Sequence, residues 1–284
     1  MAGKLYLVAT PIGNLEDITY RAVRILNEVD IIAAEDTRNS IKLLNHFDIK
    51  TPMTSYHEHN KFEKADEIIA LLTEGKNIAE ITDAGTPGIS DPGEELVKKC
   101  YENGIEVVPV PGACAAVNAI IASGQPTRRF AFEAFLPSEK EKKERKLVLD
   151  ELKKETRTMI IYEAPHRLTR TLKELCETLG DREVTVCREL TKKHETFFKT
   201  SLYKAAEYYA ENEPKGECII VIKGKSIEEI EKEAVARWEQ MSVTEHLKMY
   251  IEQGMDKKEA AKLVAKDRGV SKREIYEYTI DLQS

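Results

Sequence analysis

The 284-residue sequence predicts an α/β fold. Over about the first 120 residues, short apolar runs alternate with segments whose apolar residues recur at helical spacing. That alternation is the pattern of a parallel sheet covered by helices. A second strand and helix alternation starts near residue 158, and from Ile227 onward the pattern is almost entirely helical. The expected organisation is an N-terminal α/β domain over 1–122, a second α/β domain over 123–226 and a small helical C-terminal region over 227–284.

Residues 5–9 are a short apolar run, read as a buried strand, and 10–15 form a loop rich in turn formers. Apolar residues at 18, 22, 25, 26 and 29 keep helix spacing. Residues 30–34 are the next strand, with Glu35-Asp36-Thr37-Arg38 at its C-terminal end and a helix over roughly 39–47 behind it. A helix over 62–74 carries Ala65, Ile68, Ile69 and Leu72 on one side, and 77–82 is a strand. Residues 92–103 form a helix with Gly104 at its C-terminal cap, and 106–110 form a strand. Pro111-Gly112 then turns into an Ala-rich helix ending near Ser123-Gly124.

The charge-rich stretch 137–146 interrupts the alternation and leads into a helix expected to reach about residue 155. Strands follow at 158–163, 183–189 and 217–222, with helices at 166–179 and 201–211. Pro165 suits the first position of the earlier helix. Residues 192–200 read as a hairpin or an irregular connection, which allows antiparallel pairing here. In the tail, Ser242 with Glu245, Asp256 with Glu259 and Ser271 with Glu274 have capping-box spacing. They predict helices at about 242–253, 256–267 and 271–279, the last two joined as in a helix-turn-helix.

Bulk properties narrow the function. With 42% hydrophobic and 33% charged residues the chain is of ordinary globular composition. No apolar run approaches the roughly 18–20 residues that cross a bilayer, so no membrane role is expected. The N-terminus soon meets Pro11 and reads as a first strand rather than a signal peptide. Cys100, Cys114, Cys176, Cys187 and Cys218 are scattered without a C-x-x-C pair, as in a reducing, cytoplasmic setting. Neither they nor the histidines have zinc-ligand spacing, so no metal is expected. A net charge of -7 argues against indiscriminate nucleic-acid binding and leaves room for a local basic surface.

The segment Asp83-Ala84-Gly85-Thr86-Pro87-Gly88-Ile89-Ser90-Asp91-Pro92-Gly93 stands out. Five of these residues are Gly or Pro and four are Asp, Ser or Thr, and they follow an apolar strand. Ordering such a long polar loop is costly, which points to function. Loops 10–15, 111–113 and 35–38 also follow strands expected to be parallel, and all four converge if those strands are neighbours. Backbone amides freed from sheet pairing can hold a nucleotide-like ligand. Neither G-x-x-x-x-G-K-[ST] nor a G-x-G-x-x-G after the first strand occurs, so any cofactor is held differently.

Thr10-Pro11-Ile12-Gly13-Asn14-Leu15, Glu35-Asp36-Thr37-Arg38, the 83–93 segment, Val110-Pro111-Gly112, Tyr162-Glu163-Ala164-Pro165-His166-Arg167 and Cys187-Arg188-Glu189-Leu190-Thr191-Lys192 occur in that order. Together they resemble the ribosomal RNA small subunit methyltransferase I family of the tetrapyrrole methylase superfamily, over essentially the whole chain. Ala164 departs from the family's frequent Ser by a small change. The resemblance implies a tetrapyrrole methylase-like fold, with S-adenosylmethionine folded into a cleft between two α/β domains. It also implies 2'-O-methylation of a cytidine of 16S ribosomal RNA in the small subunit, and a homodimer.

On that resemblance, Pro11, Gly13, Asp83, Ala84, Gly85, Thr86, Ser90, Pro111 and Gly112 are expected around the cofactor, with Tyr162 and Glu163 closing the cleft. Asp83 either holds the methionine ammonium or stabilises its own loop. Methyl transfer from a sulfonium mainly needs alignment and exclusion of water, with a group that orients or deprotonates the 2'-hydroxyl. Glu35 and Asp36 are candidates for that role, against an Asp36–Arg38 ion pair. His166 is a candidate base or an orienting cap, and Arg167 a phosphate contact or a structural ion partner. Lys192 either reaches RNA or is solvated surface.

Seven basic residues between Lys257 and Arg273 face only Glu259 and Asp267, a local excess suited to phosphates. Tyr276 and Tyr278 are expected to pack the small helical core rather than stack on a base. Two other functions fit parts of the sequence: methylation of a small tetrapyrrole precursor, and a non-enzymatic nucleic-acid-binding regulator.

Overall fold

The computed structural model describes residues 2–138, 140–226, 228–230, 232, 236, 238 and 241–280. The chain forms two compact units, one of Met1–Leu152 with Arg157–Lys223, the other of Lys153–Thr156 with Gly224–Ser284.

The first unit is built on two sheets. One contains β1 (Lys4–Val8), β2 (Ile31–Ala34), β3 (Met53–Ser55), β4 (Ile78–Ile81) and β5 (Glu106–Val110). Their order is β3-β2-β4-β1-β5 and every pair is parallel. Helices α1 (Tyr20–Glu28), α2 (Thr37–His46), α3 (Lys61–Thr73) and α4 (Gly93–Glu102) make the crossovers. Strand side chains alternate between two cores. Leu5, Ala33 and Ile78 pack with Ile68, Leu72 and Leu96 of α3 and α4, while Val8, Ile32 and Ile81 pack with Ile25, Leu26 and Leu44 of α1 and α2. From β1 the chain steps to β2 on one side, and from β4 it steps to β5 on the other. The loops after β1 and β4 therefore open where the connections diverge, the place where open α/β sheets bind ligands.

The second sheet contains β6 (Phe130–Phe135), β7 (Thr158–Glu163), β8 (Glu183–Arg188), β9 (Thr196–Ser201) and β10 (Cys218–Ile222). Its order is β6-β7-β10-β8-β9, with β6 and β7 parallel and the remaining pairs antiparallel. Helices α6 (Lys142–Leu152), α7 (Pro165–Leu179) and α8 (Leu202–Glu211) cover one face. On the other face Ile160, Cys187, Ile219 and Val221 pack against Ala116, Ala119 and Ile120 of α5 (Ala115–Ala122), together with Ile12 and Leu190. Helix α5 and Ile12 of the loop after β1 thus share one apolar layer with the second sheet.

Several elements differ from the sequence expectation. Strand β3 is a three-residue edge strand behind Pro52, too short to show a period. Strand β6 is an unexpected edge strand whose alternation breaks at a register shift between Phe132 and Phe135, where Ala134 takes φ 49°. The 192–200 segment resolves as the hairpin, pairing β9 with β8. Helix α2 starts at Thr37 because Asp36 caps it, and α6 stops at Leu152.

In the second unit, α9 (Val243–Glu252), α10 (Lys257–Asp267) and α11 (Lys272–Ile280) bury Leu247, Ala260, Val264 and Ile275 among them. Ser242 and Glu245 form a reciprocal capping box, Asp256 accepts from the Lys258 and Glu259 amides, and Ser271 pairs with Glu274. The expected start of the tail, 227–240, lies mostly outside the described residues. Tyr276 and Tyr278 do not pack the core: they are 59% and 44% exposed. Among the described side chains of α11 the buried ones are Ile275 and Thr279, one turn apart, and the two tyrosines fall beside that stripe.

Candidate active site

The four loops at the open edge of the first sheet are tied to one another. Thr10 and Gly85 exchange backbone hydrogen bonds of 2.9 and 3.2 Å, and Thr86 Oγ1 donates to the Ala113 carbonyl at 2.9 Å. The Asp83 amide donates to Glu35 Oε2 at 3.3 Å. In return the Asp83 carboxylate accepts from the Asp36 amide at 3.2 Å and from Asn39 Nδ2 at 3.1 Å. Asp91 folds the long loop onto itself, accepting from the amides of Gly88, Ile89 and Gly93. The loop is thereby pre-ordered, several of its backbone amides held by the Asp91 carboxylate.

Across the cleft, the end of β7 supplies Tyr162 and Glu163. Tyr162 Oη accepts the Ala116 amide of α5 at 3.1 Å, and its ring sits edge-on to Phe132 and Phe135. Burial pushes its phenol up to about 12. Glu163 is buried and fully engaged with α7: it accepts from the Ala164 amide, Arg167 Nε and Thr171 Oγ1 at 2.6–2.8 Å. Arg167 is therefore an ion partner of Glu163, and His166 is exposed in the first turn of α7. Both Asp36 carboxylate oxygens are taken by Arg38, which holds that carboxyl at about 2. Glu35 is raised instead, by burial first and then by the Asp83, Asp91 and Asp36 charges, against the pull of the Asp83 amide.

Between the sheets lies a cavity of about 390 Å³. Glu35, Ala84, Gly85, Thr86 and Ser90 line it from the first sheet, Tyr162 and Glu163 from the second. The charged side chains on its wall are all acidic: Glu35, Asp91, Glu163 and Glu217. A second cavity of about 330 Å³ is lined by Pro11, Gly13, Asp83, Ala84, Lys42 and Lys192. The two share Ile12, Ala84 and Glu217 as walls. Asp36, Pro111, Gly112, His166 and Arg167 line neither.

Two further features, a buried carboxyl and a strained backbone turn, are visible only in three dimensions. Glu80, inside the apolar run of β4, is 2% exposed and its Oε2 has no partner. Burial, then the Asp91 and Glu35 charges, pushes its carboxyl up to about 8, so it is protonated at neutral pH. The turn after β8 is strained: Glu189 and Thr191 take φ 52° and 66°. A left-handed backbone at a β-branched residue costs about 1–3 kcal/mol and persists only where its surroundings impose it.

The profile of the tetrapyrrole (corrin/porphyrin) methylases matches residues 4–206. The ribosomal RNA small subunit methyltransferase I of Halalkalibacterium halodurans is 53% identical, over 96% of this chain and 93% of its own. The protein of that name from Bacillus subtilis is 50% identical, over 97% and 93%. The chain belongs to the ribosomal RNA small subunit methyltransferase I family, within the tetrapyrrole methylases. A solved uroporphyrin-III C-methyltransferase from Thermus thermophilus, complexed with S-adenosylhomocysteine, superposes with a TM-score of 0.53 at 21% identity, covering 78% of this chain and 97% of that one. That likeness establishes the tetrapyrrole methylase-like fold.

As a member of the ribosomal RNA small subunit methyltransferase I family the chain is a methyltransferase. Its cavity wall, with Glu35 and Asp91 and no basic side chain, fits a methyl donor that carries a sulfonium and an ammonium. Among the cavity-lining residues, Phe135 and Leu190 were not anticipated. Phe135 lies on the bulged strand β6, and Leu190 sits at the strained turn, where neither periodicity nor turn composition marks a wall.

Proposed function

We propose that this chain methylates the 2'-hydroxyl of a cytidine in 16S ribosomal RNA of the small subunit, using S-adenosylmethionine. The substrate class rests on one observation: relatives half identical over nearly the whole chain carry the ribosomal RNA methyltransferase name. The acidic cavity supports the cofactor. When bound, the cofactor supplies an electrophilic methyl group on a positively charged sulfur.

The protein's share is to bind, align and exclude water. Ala84, Gly85, Thr86 and Ser90 would hold the cofactor from the first sheet, with Tyr162 and Glu163 closing over it. Pro11, Gly13 and Asp83 would bound its approach from the second cavity, and Pro111 and Gly112 would support the wall from behind. Of the four candidate catalytic residues, Glu35 is the one proposed to orient the hydroxyl and take its proton, because it alone lines the donor cavity. Asp36, His166 and Arg167 are proposed as positioning residues. The organisation proposed is catalytic domains over 1–122 and 123–226 and an RNA-recruiting region over 227–284. Lys257, Lys258, Lys262, Lys266, Lys272 and Arg273 are all exposed there, and so are Tyr276 and Tyr278. We place the enzyme in the cytoplasm as a homodimer.

The test supplies labelled S-adenosylmethionine with undermethylated small subunits or with a precorrin-type acceptor. Label in 16S ribosomal RNA, at a ribose, is the expected result. Label in the tetrapyrrole and none in RNA overturns the reading, and so does a chain that binds no S-adenosylmethionine in calorimetry.

A further inference from the structure

The two adjoining cavities differ in charge. The larger carries only acidic charged side chains, whereas the smaller sets Lys42 and Lys192 beside Asp83 and Glu217. An anion finds no cationic side chain on the wall of the first and two on the wall of the second, which shares Ile12 and Ala84 with it. Lys192 lines the second cavity, and several contacts hold it there. Its stem lies across the backbone of Gly13, where a Cβ would overlap Lys192 Cγ. The left-handed Glu189 and Thr191 aim the turn, Leu190 anchors it in the apolar layer beneath, and Thr191 Oγ1 is buried without a partner. Strain and an orphaned buried hydroxyl at one turn are hallmarks of a site shaped for function rather than for stability.

The ammonium of Lys192 sits between two carboxylates, Glu189 Oε1 and Glu217 Oε2, each at 3.1 Å. They are not equivalent. The Glu189 side chain is 20% exposed and also accepts the Glu217 amide, so it is fixed, while the Glu217 side chain is 72% exposed. Resting on the ribosomal RNA reading above, we propose that Lys192 is a substrate-positioning residue. Its ammonium binds a phosphodiester oxygen next to the acceptor ribose in the second cavity, taking the phosphate in place of Glu217. Glu189 stays to hold the ammonium in place, and the ribose then lies at the wall shared with the donor cavity.

The experiment compares the full-length wild type with K192Q, K192R and, as a control on the next exposed lysine, K193Q. Calorimetry reads the affinity for S-adenosylhomocysteine. Methyl transfer to undermethylated small subunits reads KM and kcat, and binding of a short cytidine-containing oligoribonucleotide to the S-adenosylhomocysteine-loaded enzyme is followed across a salt series. For K192Q the expected result is a KM and an oligoribonucleotide Kd raised roughly tenfold. Its slope of log affinity against log salt should be shallower by about one phosphate contact. S-adenosylhomocysteine affinity should stay unchanged, K192R should recover most of the RNA affinity, and K193Q should match the wild type. Unchanged oligoribonucleotide affinity and salt slope in K192Q overturn the proposal, as does a parallel loss of S-adenosylhomocysteine affinity, which would mark Lys192 as a strut. If the wild type labels no ribosomal RNA, the functional reading fails, and the oligoribonucleotide series still decides the role of Lys192. A wild type that binds no oligoribonucleotide overturns that role as well.

Discussion

Thr10 and Gly85 face each other as an isolated two-bond bridge, joining the loop after β1 to the loop after β4. Gly85 makes the bridge with φ 91°, and a Cβ there would stand 3.2 Å from Ile12 Cγ2. The Gly85→Ala variant is therefore strained twice, by backbone and by crowding, and should lose about 1–2 kcal/mol of stability. Cofactor affinity should fall more than stability, because Ile12 and Gly85 both line the donor cavity. Urea unfolding and calorimetry with S-adenosylhomocysteine read the two effects separately.

Glu80 gives the protein a distinctive pH response. Its native carboxyl titrates at about 8, against an ordinary value of 4.5. Between those values the unfolded chain has released a proton that the native chain keeps, so stability falls as pH rises through the window. The contribution is fully present below about pH 4 and is lost by the time pH exceeds 8, with a slope of at most about 1.4 kcal/mol per pH unit. Glu35 is shifted in the same direction and adds to the trend. Glu80→Gln keeps the shape and removes the titration, so its unfolding free energy should depend less on pH than the parent's. An identical slope in both proteins would rule this out.

Tyr162→Phe removes the acceptor of the Ala116 amide and leaves a donor unpaired at the start of a helix that is packed against the second sheet. A loss of about 1–3 kcal/mol is expected, the cost of an unsatisfied buried group. Thermal unfolding measures it, and a neutral result would mean that another acceptor or water replaces the phenol.

On the tail, Lys262 and Lys266 are exposed one turn apart on α10. Reversing both charges to Glu should leave S-adenosylhomocysteine affinity unchanged and weaken binding to small subunits, most clearly at low salt. Equal subunit affinity across the salt series would remove the tail from the RNA interface.

Ser242→Ala deletes the hydroxyl that accepts the Glu245 amide and leaves the other half of the capping box on α9, the residue-242 amide donating to the Glu245 carboxylate. The helical unit should lose about 1 kcal/mol. Hydrogen exchange of the α9 amides, compared with those of the first unit, shows whether the loss is confined to the tail.

The parallel sheet was legible because its strands are short apolar runs between helical segments, and such runs are what a strand buried on both faces requires. The tail was legible from side chains that cap their own helices, since a cap is a local interaction written within four residues. Strands β3 and β6 escaped because edge strands are specified by their neighbours rather than by their own period. Tyr276 and Tyr278 were misplaced because the buried stripe of a nine-residue helix is too narrow to locate from composition. At the candidate site the loops themselves were readable from Gly and Pro, and their mutual hydrogen bonds were not. Nothing local in Asp83 says that it serves Asp36 and Asn39, 47 and 44 residues away. Glu80 looked like part of an apolar run, and only its depth in the sheet reveals a carboxyl kept protonated.

The position of β10 bears on how the chain is made. Among the described residues it is the last strand, yet it lies between β7 and β8 and pairs with both. Until residue 222 has left the ribosomal tunnel, β7 and β8 each present an open inner edge, and their apolar side chains lack the strand that separates them. A nascent chain stalled before that point holds two unpaired, Ile- and Val-rich edges in one lobe, the arrangement most prone to wrong pairing. The first sheet has no such delay, because its last strand is complete at Val110. Synthesis therefore delivers the loop-bearing half finished and the half that closes over it only at the end, and a chaperone that shields strand edges has the most to protect in that interval.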